Sequence, residues 1–236
     1  MVRPDVLSLS RFYRTPLGLS AAQVLGDTIA RLSDVPAGGT IVGLGFAPPV
    51  LARFGDSART VALMPARQGV CHWPSHAKSR TVLVDTQNWP IADSSADMVI
   101  LIHALEHAQV PTQLLREAWR VLVPNGQVVV VVPNRRRMWS ALDRTPFGYG
   151  RPYSKGQLYT LMEDHMLPPD GWTTALMVPP LALPGIGRLL RLGEKPFRLM
   201  GKNLGGALIV HARKQVYGAL PKGKAVRAGV EAVSGI

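Results

Sequence analysis

Residues 81–134 read TVLVDTQNWPIADSSADMVILIHALEHAQVPTQLLREAWRVLVPNGQVVVVVPN. Val82, Leu83 and Val84 form a short β-branched run that ends at Asp85, and Met98 to Ile102 is a second apolar run between Asp97 and His103. Leu114, Leu115, Ala118, Trp119 and Leu122 recur at helical spacing, which predicts an amphipathic helix over 112–122. Pro124-Asn125-Gly126 predicts a turn, and Val128 to Val132 a buried strand. Strands separated by helical stretches imply a parallel sheet with crossover helices. Such a sheet takes its ligand at the carboxyl ends of its strands, and Asp85, Thr86, His103, Glu106, His107 and Asn134 all follow strand ends.

Upstream, Arg59 to Met64 reads as another strand, and Thr40 to Phe46 as a strand that runs into a glycine turn. Glycine there lets the backbone approach a ligand closely. A helix is predicted from Ser20, its N-cap, through Leu32, and a short one from Pro49 to Phe54. Residues 68–80 predict a loop and a short helix; Cys71, His72 and His76 within it lack the spacing of a metal site.

Downstream, Arg135, Arg136 and Arg137 offer either an anion- or nucleic-acid-binding edge or a solvated loop. Residues 144–154 form an aromatic, glycine-rich loop that suits a lid, with Gly148 and Gly150 as hinges. Ser154 and Gln157 make a capping box that opens a helix. Gly171 to Val178 and Ala207 to Ala212 read as the last two strands, separated by a proline-rich and then basic amphipathic stretch over 179–200 that packs on the domain or faces a partner. Residues 217–236 read as a mobile basic tail beyond a single domain of 1–216.

The chain has 236 residues, 47% of them hydrophobic, enough for one large α/β domain. Its formal charge of +12 suits an anionic partner. One cysteine excludes an internal disulfide framework and fits a reducing compartment, so a cytoplasmic location is expected. No apolar run is long enough to span a membrane.

The order Asp85, Pro90-Ile91, Asp93-Ser94-Ser95-Ala96-Asp97-Met98-Val99, His103, Leu105-Glu106-His107, followed by Leu114 to Leu122 and Pro124-Asn125-Gly126, resembles the second half of class I S-adenosylmethionine (SAM) methyltransferases, in particular their small-molecule, UbiE- and BioC-like branch. The likeness covers roughly residues 40–135, with the core at about 20–135 and an acceptor-covering region at about 136–204. It implies a seven-stranded Rossmann-like fold, mostly parallel with one antiparallel strand, and SAM as cofactor. Carried over by position, it implies cofactor contacts from Gly43, Leu44, Gly45, Phe46, Met64, Asp85, Thr86 and His103, with Tyr13 placed over the cofactor or packed beneath the following helix. His103 lines the methionine end or acts as a base. Trp139, Phe147, Tyr149 and Tyr153 would line the pocket of a small-molecule acceptor. The chain departs from the family's D-x-G-x-G-x-G turn: Gly43 stands at the acidic position, and Ala47 and Pro49 at glycine positions. Met64 replaces the usual ribose-binding carboxylate. Three functions follow: a methyltransferase for a small molecule, a catalytically silent binding protein on the same scaffold, and an RNA-directed methyltransferase.

Overall fold

A computed structural model describes residues 4–134, 139, 145–177 and 205–216. Among them, strands β1 (Thr40–Gly45), β2 (Arg59–Pro65), β3 (Thr81–Val84), β4 (Ala96–Ile102), β5 (Leu122–Pro133), β6 (Pro169–Ala175) and β7 (Ala207–Arg213) form one sheet. Its order is β3-β2-β1-β4-β5-β7-β6. β1 pairs in parallel with β2 and β4, β2 with β3, and β4 with β5, whereas β7 runs antiparallel to both β5 and β6. The expected seven-stranded, mostly parallel sheet with one antiparallel strand is what the chain adopts.

Side chains alternate across a strand, so each strand feeds two cores. On one face Val42, Leu44, Val99, Leu101, Val128 and Val130 meet Leu114, Leu115, Ala118 and Val121 of α4 (Pro111–Val121) and Leu158 and Met162 of the helix Lys155–Glu163. On the other, Ile41, Met98, Ile100, Val129 and Ile209 meet Leu25 and Ile29 of α2 (Pro16–Leu32) and Val50 and Leu51 of α3 (Pro48–Leu51). Helix α1 (Val6–Tyr13) joins Leu9 and Tyr13 to Ala22, Phe46 and Met64 in a third, smaller cluster. The helix Lys155–Glu163, α5, opens on the capping box of Ser154 and Gln157 that the sequence predicts. Fully burying one aliphatic side chain contributes about 1.5–3 kcal/mol, so the two large faces dominate stability.

Four local expectations are corrected. Helix α2 starts at Pro16 rather than after Ser20, because Thr15 Oγ1 caps it by accepting from Gly18 N at 3.0 Å and proline suits the first turn. The expected turn at Pro124-Asn125-Gly126 lies inside β5. Two steps along β4, from Ala96 to Met98, oppose five along β5, from Leu122 to Gln127, and Asn125 absorbs this bulge with a left-handed φ of 64°. Residues 68–80 form turns and irregular backbone, not a short helix; Pro74 sits mid-segment, and Arg80 N donates to Trp73 O at 2.6 Å instead. Strand β6 runs two residues ahead of its expected start and ends before Leu176, whose φ is 62°. The basic segment 179–200, Arg135 to Arg137 and the tail 217–236 lie outside the described residues. No helix among the described residues is long and apolar enough to cross a membrane.

Candidate active site

The carboxyl edge of β2, β3 and β4 frames a pocket of about 190 Å³. Pro65, Arg67 and Gln68 line it after β2, Asp85, Thr86 and Gln87 after β3, and His103, His107 and Gln109 after β4. A side-chain network fixes the β3 segment. Glu117 and Arg120 are one helical turn apart on α4 and pair at 2.7 Å. Arg120 also donates to Ile91 O at 2.9 Å and Trp89 O at 3.1 Å, and bonds Asp93. Glu117 accepts from Trp89 N at 2.8 Å, and Trp89 Nε1 donates to Thr86 O at 3.0 Å. The Glu-Ala-Trp-Arg run of α4 is therefore a clamp that holds the chain just beyond Thr86. Hydrogen bonds from Arg120 hold the Glu117 carboxyl below its ordinary value of 4.5. Asp85 stays exposed, its Oδ1 accepting from Gln87 N at 2.9 Å.

At the neighbouring end of the edge, β1 meets β4. Gly45 has φ 93°, and a Cβ there would lie 2.1 Å from Ile102 O, so only glycine fits. Phe46 N donates to Ile102 O at 3.1 Å. His103 then turns into the left-handed region at φ 52°, a conformation that persists in a non-glycine residue only when surrounding contacts impose it. Its ring is buried. His103 Nε2 lies 2.7 Å from the Tyr13 hydroxyl, and His103 Nδ1 lies 3.4 Å from Glu106 Oε1. Gln68 Nε2 donates to His103 O at 3.3 Å. Tyr13 stacks on Phe46 with centroids 5.6 Å apart, and Phe147 meets the His103 ring at 4.9 Å and Trp139 at 5.6 Å. Burial pushes the Tyr13 phenol above its ordinary value, and the Glu106 carboxylate adds to the rise.

The residues singled out in the sequence thus separate into groups. Asp85, Thr86 and His103 come together around the pocket. Tyr13, Phe46 and Met64 share the small apolar cluster, and Gly43 and Leu44 lie buried in β1. Phe147 is buried beside His103 and Trp139 is buried against Phe147; Tyr153 is buried elsewhere, bridging to Asn134 and lining a cleft of about 550 Å³ between α4 and α5. Tyr149 is half-buried. The loop around them packs down on the turn Leu105–His107: Arg151 N donates to Glu106 O at 2.7 Å, and a Cβ on Gly150 would meet Glu106 Cγ at 2.8 Å. Sequence reasoning missed Arg67, Gln68, Gln87 and Gln109, although each follows a strand end, which is the signal that located Asp85 and His103. No group of His, Cys, Asp and Glu among the described residues could hold a metal.

Residues 37–130, about two fifths of the chain, match the family described as Methyltransferase domain. No curated protein matches the sequence. Among solved structures, a SAM-dependent methyltransferase from Thermotoga maritima aligns with a TM-score of 0.61 at 16% identity, covering 89% of this chain and 96% of that one. One from Aquifex aeolicus aligns with a TM-score of 0.57 at 12% identity, covering 87% and 98%. The cyclase SpnF aligns with a TM-score of 0.56 at 20% identity, covering 92% and 98%. The chain has the class I methyltransferase fold. The cyclase among its neighbours shows that this fold alone does not fix the reaction.

The residues present fit SAM unequally. Asp85 and Thr86 give a carboxylate and a hydroxyl at this pocket, a donor and acceptor set that suits the adenine end. Around the glycine turn the fit is tighter. A Cβ on Gly43 would stand 2.4 Å from Ala47 Cβ and 3.0 Å from Leu51 Cδ1, so a side chain at the acidic position would compete with those two side chains for space. Met64 is fully buried among Leu9, Tyr13, Ala22 and Phe46 and offers no acceptor to a ribose.

Proposed function

We propose that the chain is a SAM-dependent methyltransferase for a small-molecule acceptor, of the UbiE- and BioC-like branch. The observation that carries this reading is the polar pocket at the carboxyl ends of β2, β3 and β4, where Asp85, Thr86 and His103 converge on a class I methyltransferase fold. Asp85 would accept a hydrogen bond from the adenine amine, and Thr86 and Gln87 would border the base. Bound there, SAM supplies an activated methyl group, and alignment of donor and acceptor supplies most of the rate. Phe147, against His103, and Trp139 behind it would wall the acceptor's side.

A second reading is a silent methyltransferase-like binding protein. The crowding of Gly43 against Ala47 and the burial of Met64 favour it. The two separate in one experiment: incubate the protein with methyl-labelled SAM and a small-molecule extract. Label recovered in an extract component, and lost in Asp85→Ala, supports the enzyme. Retained SAM with no transfer supports the silent protein, and absence of both sinks the two readings together.

A further inference from the structure

The end of β2 carries the wrong charge for a bare ribose. In an open parallel sheet, an acidic side chain about twenty residues beyond the glycine turn takes the ribose hydroxyls, and an arginine there takes a ribose phosphate instead. Here β2 ends on Met64 and Pro65, both buried. The first ionisable residue past them is Arg67, about twenty positions after Gly45, and it lines the pocket that also holds Asp85 and Thr86. A carboxylate accepts from hydroxyls. A guanidinium has five donors and no acceptor, and its planar fork matches the oxygens of a phosphate.

Arg67 is exposed, and its guanidinium makes no hydrogen bond or ion pair with the described residues, Asp85 of the same pocket included. Its backbone repeats the pattern. The turn after β2 is fixed by Ala66 N donating to Val84 O at 2.9 Å, and by Gln68 N and Gly69 N donating to Pro65 O at 2.8 and 3.1 Å. Arg67 N, between them, has no acceptor among the described residues. One tied turn thus presents an amide and a guanidinium, a donor pair suited to an anion. The place where such a sheet holds a 5′-phosphate is, by contrast, disabled. Pro48 and Pro49 open α3 without N–H groups, and Phe46 fills the glycine turn. The anion-binding corner has moved from the 5′ end to the ribose.

We propose that this pocket binds adenosine phosphorylated on its ribose, with Asp85 at the adenine amine and Arg67 at a 2′- or 3′-phosphate, in exchange with SAM. The adenine end of this assignment rests on the methyl-transfer reading; the phosphate end rests on Arg67. The chain's formal charge of +12 draws any anion toward the protein, so the selective feature is the position of the phosphate, not its presence.

Calorimetry with adenosine and its 5′-, 2′- and 3′-monophosphates tests this. The wild type should bind the 2′- or the 3′-monophosphate about tenfold or more tighter than adenosine, as one charged hydrogen bond requires, and the 5′-monophosphate about as well as adenosine. In Arg67→Gln the preference should vanish with the melting temperature unchanged, since Arg67 is exposed. No preference in the wild type, or one that survives in Arg67→Gln, overturns the proposal. A 5′-monophosphate that gains as much as its isomers also overturns it, as general attraction to a basic chain. Asp85→Ala should weaken all four ligands alike; indifference to Asp85, or no binding by any of the four, removes the nucleotide assignment. The preferred isomer should also displace SAM, and SAM binding unaffected by it refutes a shared pocket. SAM titrated alone keeps the two claims apart, because it has no ribose phosphate. If SAM fails to bind while the Arg67-dependent preference holds, the methyl-transfer reading falls and the nucleotide site stands. If SAM binds through Asp85 and the preference is missing, the reverse is true.

Discussion

Two ends of one sheet edge differ in what they do with the same topological position. After β2 and β3 the edge is polar and open: Arg67, Asp85, Thr86 and Gln87 face a pocket, and Asp85 is exposed. After β1 it is aromatic and closed: Phe46, Tyr13 and Met64 fill it, and Gly43 lies against Ala47. Parallel strands deliver ligand-facing groups at every carboxyl end, so the difference is made by side chains and not by topology. The open end keeps its groups in place through a clamp on α4, whereas the closed end has spent its ligand-facing positions on packing.

That contrast can be broken from the closed side first. Gly43→Asp should not restore a cofactor contact. It should unfold β1 and α3 against one another, since its Cβ would lie 2.4 Å from Ala47 Cβ and its charge would be buried. Overpacking and an unpaired charge together cost on the order of 3–5 kcal/mol, read by chemical denaturation. A stable Gly43→Asp with tighter SAM binding would show that the closed end is a ligand site after all. Met64→Glu comes next. Placing a carboxylate where Met64 is fully buried should cost about 2–4 kcal/mol and leave SAM affinity no higher.

The open side is sharpened by its clamp. Arg120→Met removes donors to Ile91 O, Trp89 O and Glu117 and should cost about 1–2 kcal/mol. Hydrogen exchange should accelerate at 89–93 while α2 and β1 remain protected; uniform acceleration would mean that the clamp is not local. The smallest effect concerns pH. The Glu117 carboxyl is held below 4.5 in the folded chain, so its contribution is complete above that value and is lost as pH falls through the folded value. A partly exposed pair of this kind is worth below about 1 kcal/mol, and the acid-side slope of stability should flatten in Glu117→Gln by that amount.

How much of this was legible in the sequence follows from where each residue's information lies. Continuous apolar runs such as Val128 to Val132 and the helical spacing of Leu114, Leu115 and Ala118 record their own burial, so the sheet and its crossovers could be read directly. Asp85, Thr86 and His103 could be placed because strand ends announce themselves. The α4 clamp could not: Glu117 and Arg120 look like an ordinary surface pair until the chain brings Trp89 and Asp93 to them. Tyr13 and His103 are ninety positions apart, and only the tertiary fold makes them a hydrogen-bonded pair. The bulge at Asn125 was hidden for a different reason, since Pro-Asn-Gly is turn chemistry whether it ends a strand or bends one.

The central claim is that the open end, through Asp85, holds the nucleoside of SAM. Calorimetry of SAM against the wild type and Asp85→Ala tests it most directly, because Asp85 is exposed and its loss should leave the melting temperature unchanged. The account predicts measurable SAM binding to the wild type, weakened at least tenfold in Asp85→Ala, the worth of about 1.5–3 kcal/mol for a charged hydrogen bond. No heat with the wild type, or equal affinity in the two proteins, would contradict it.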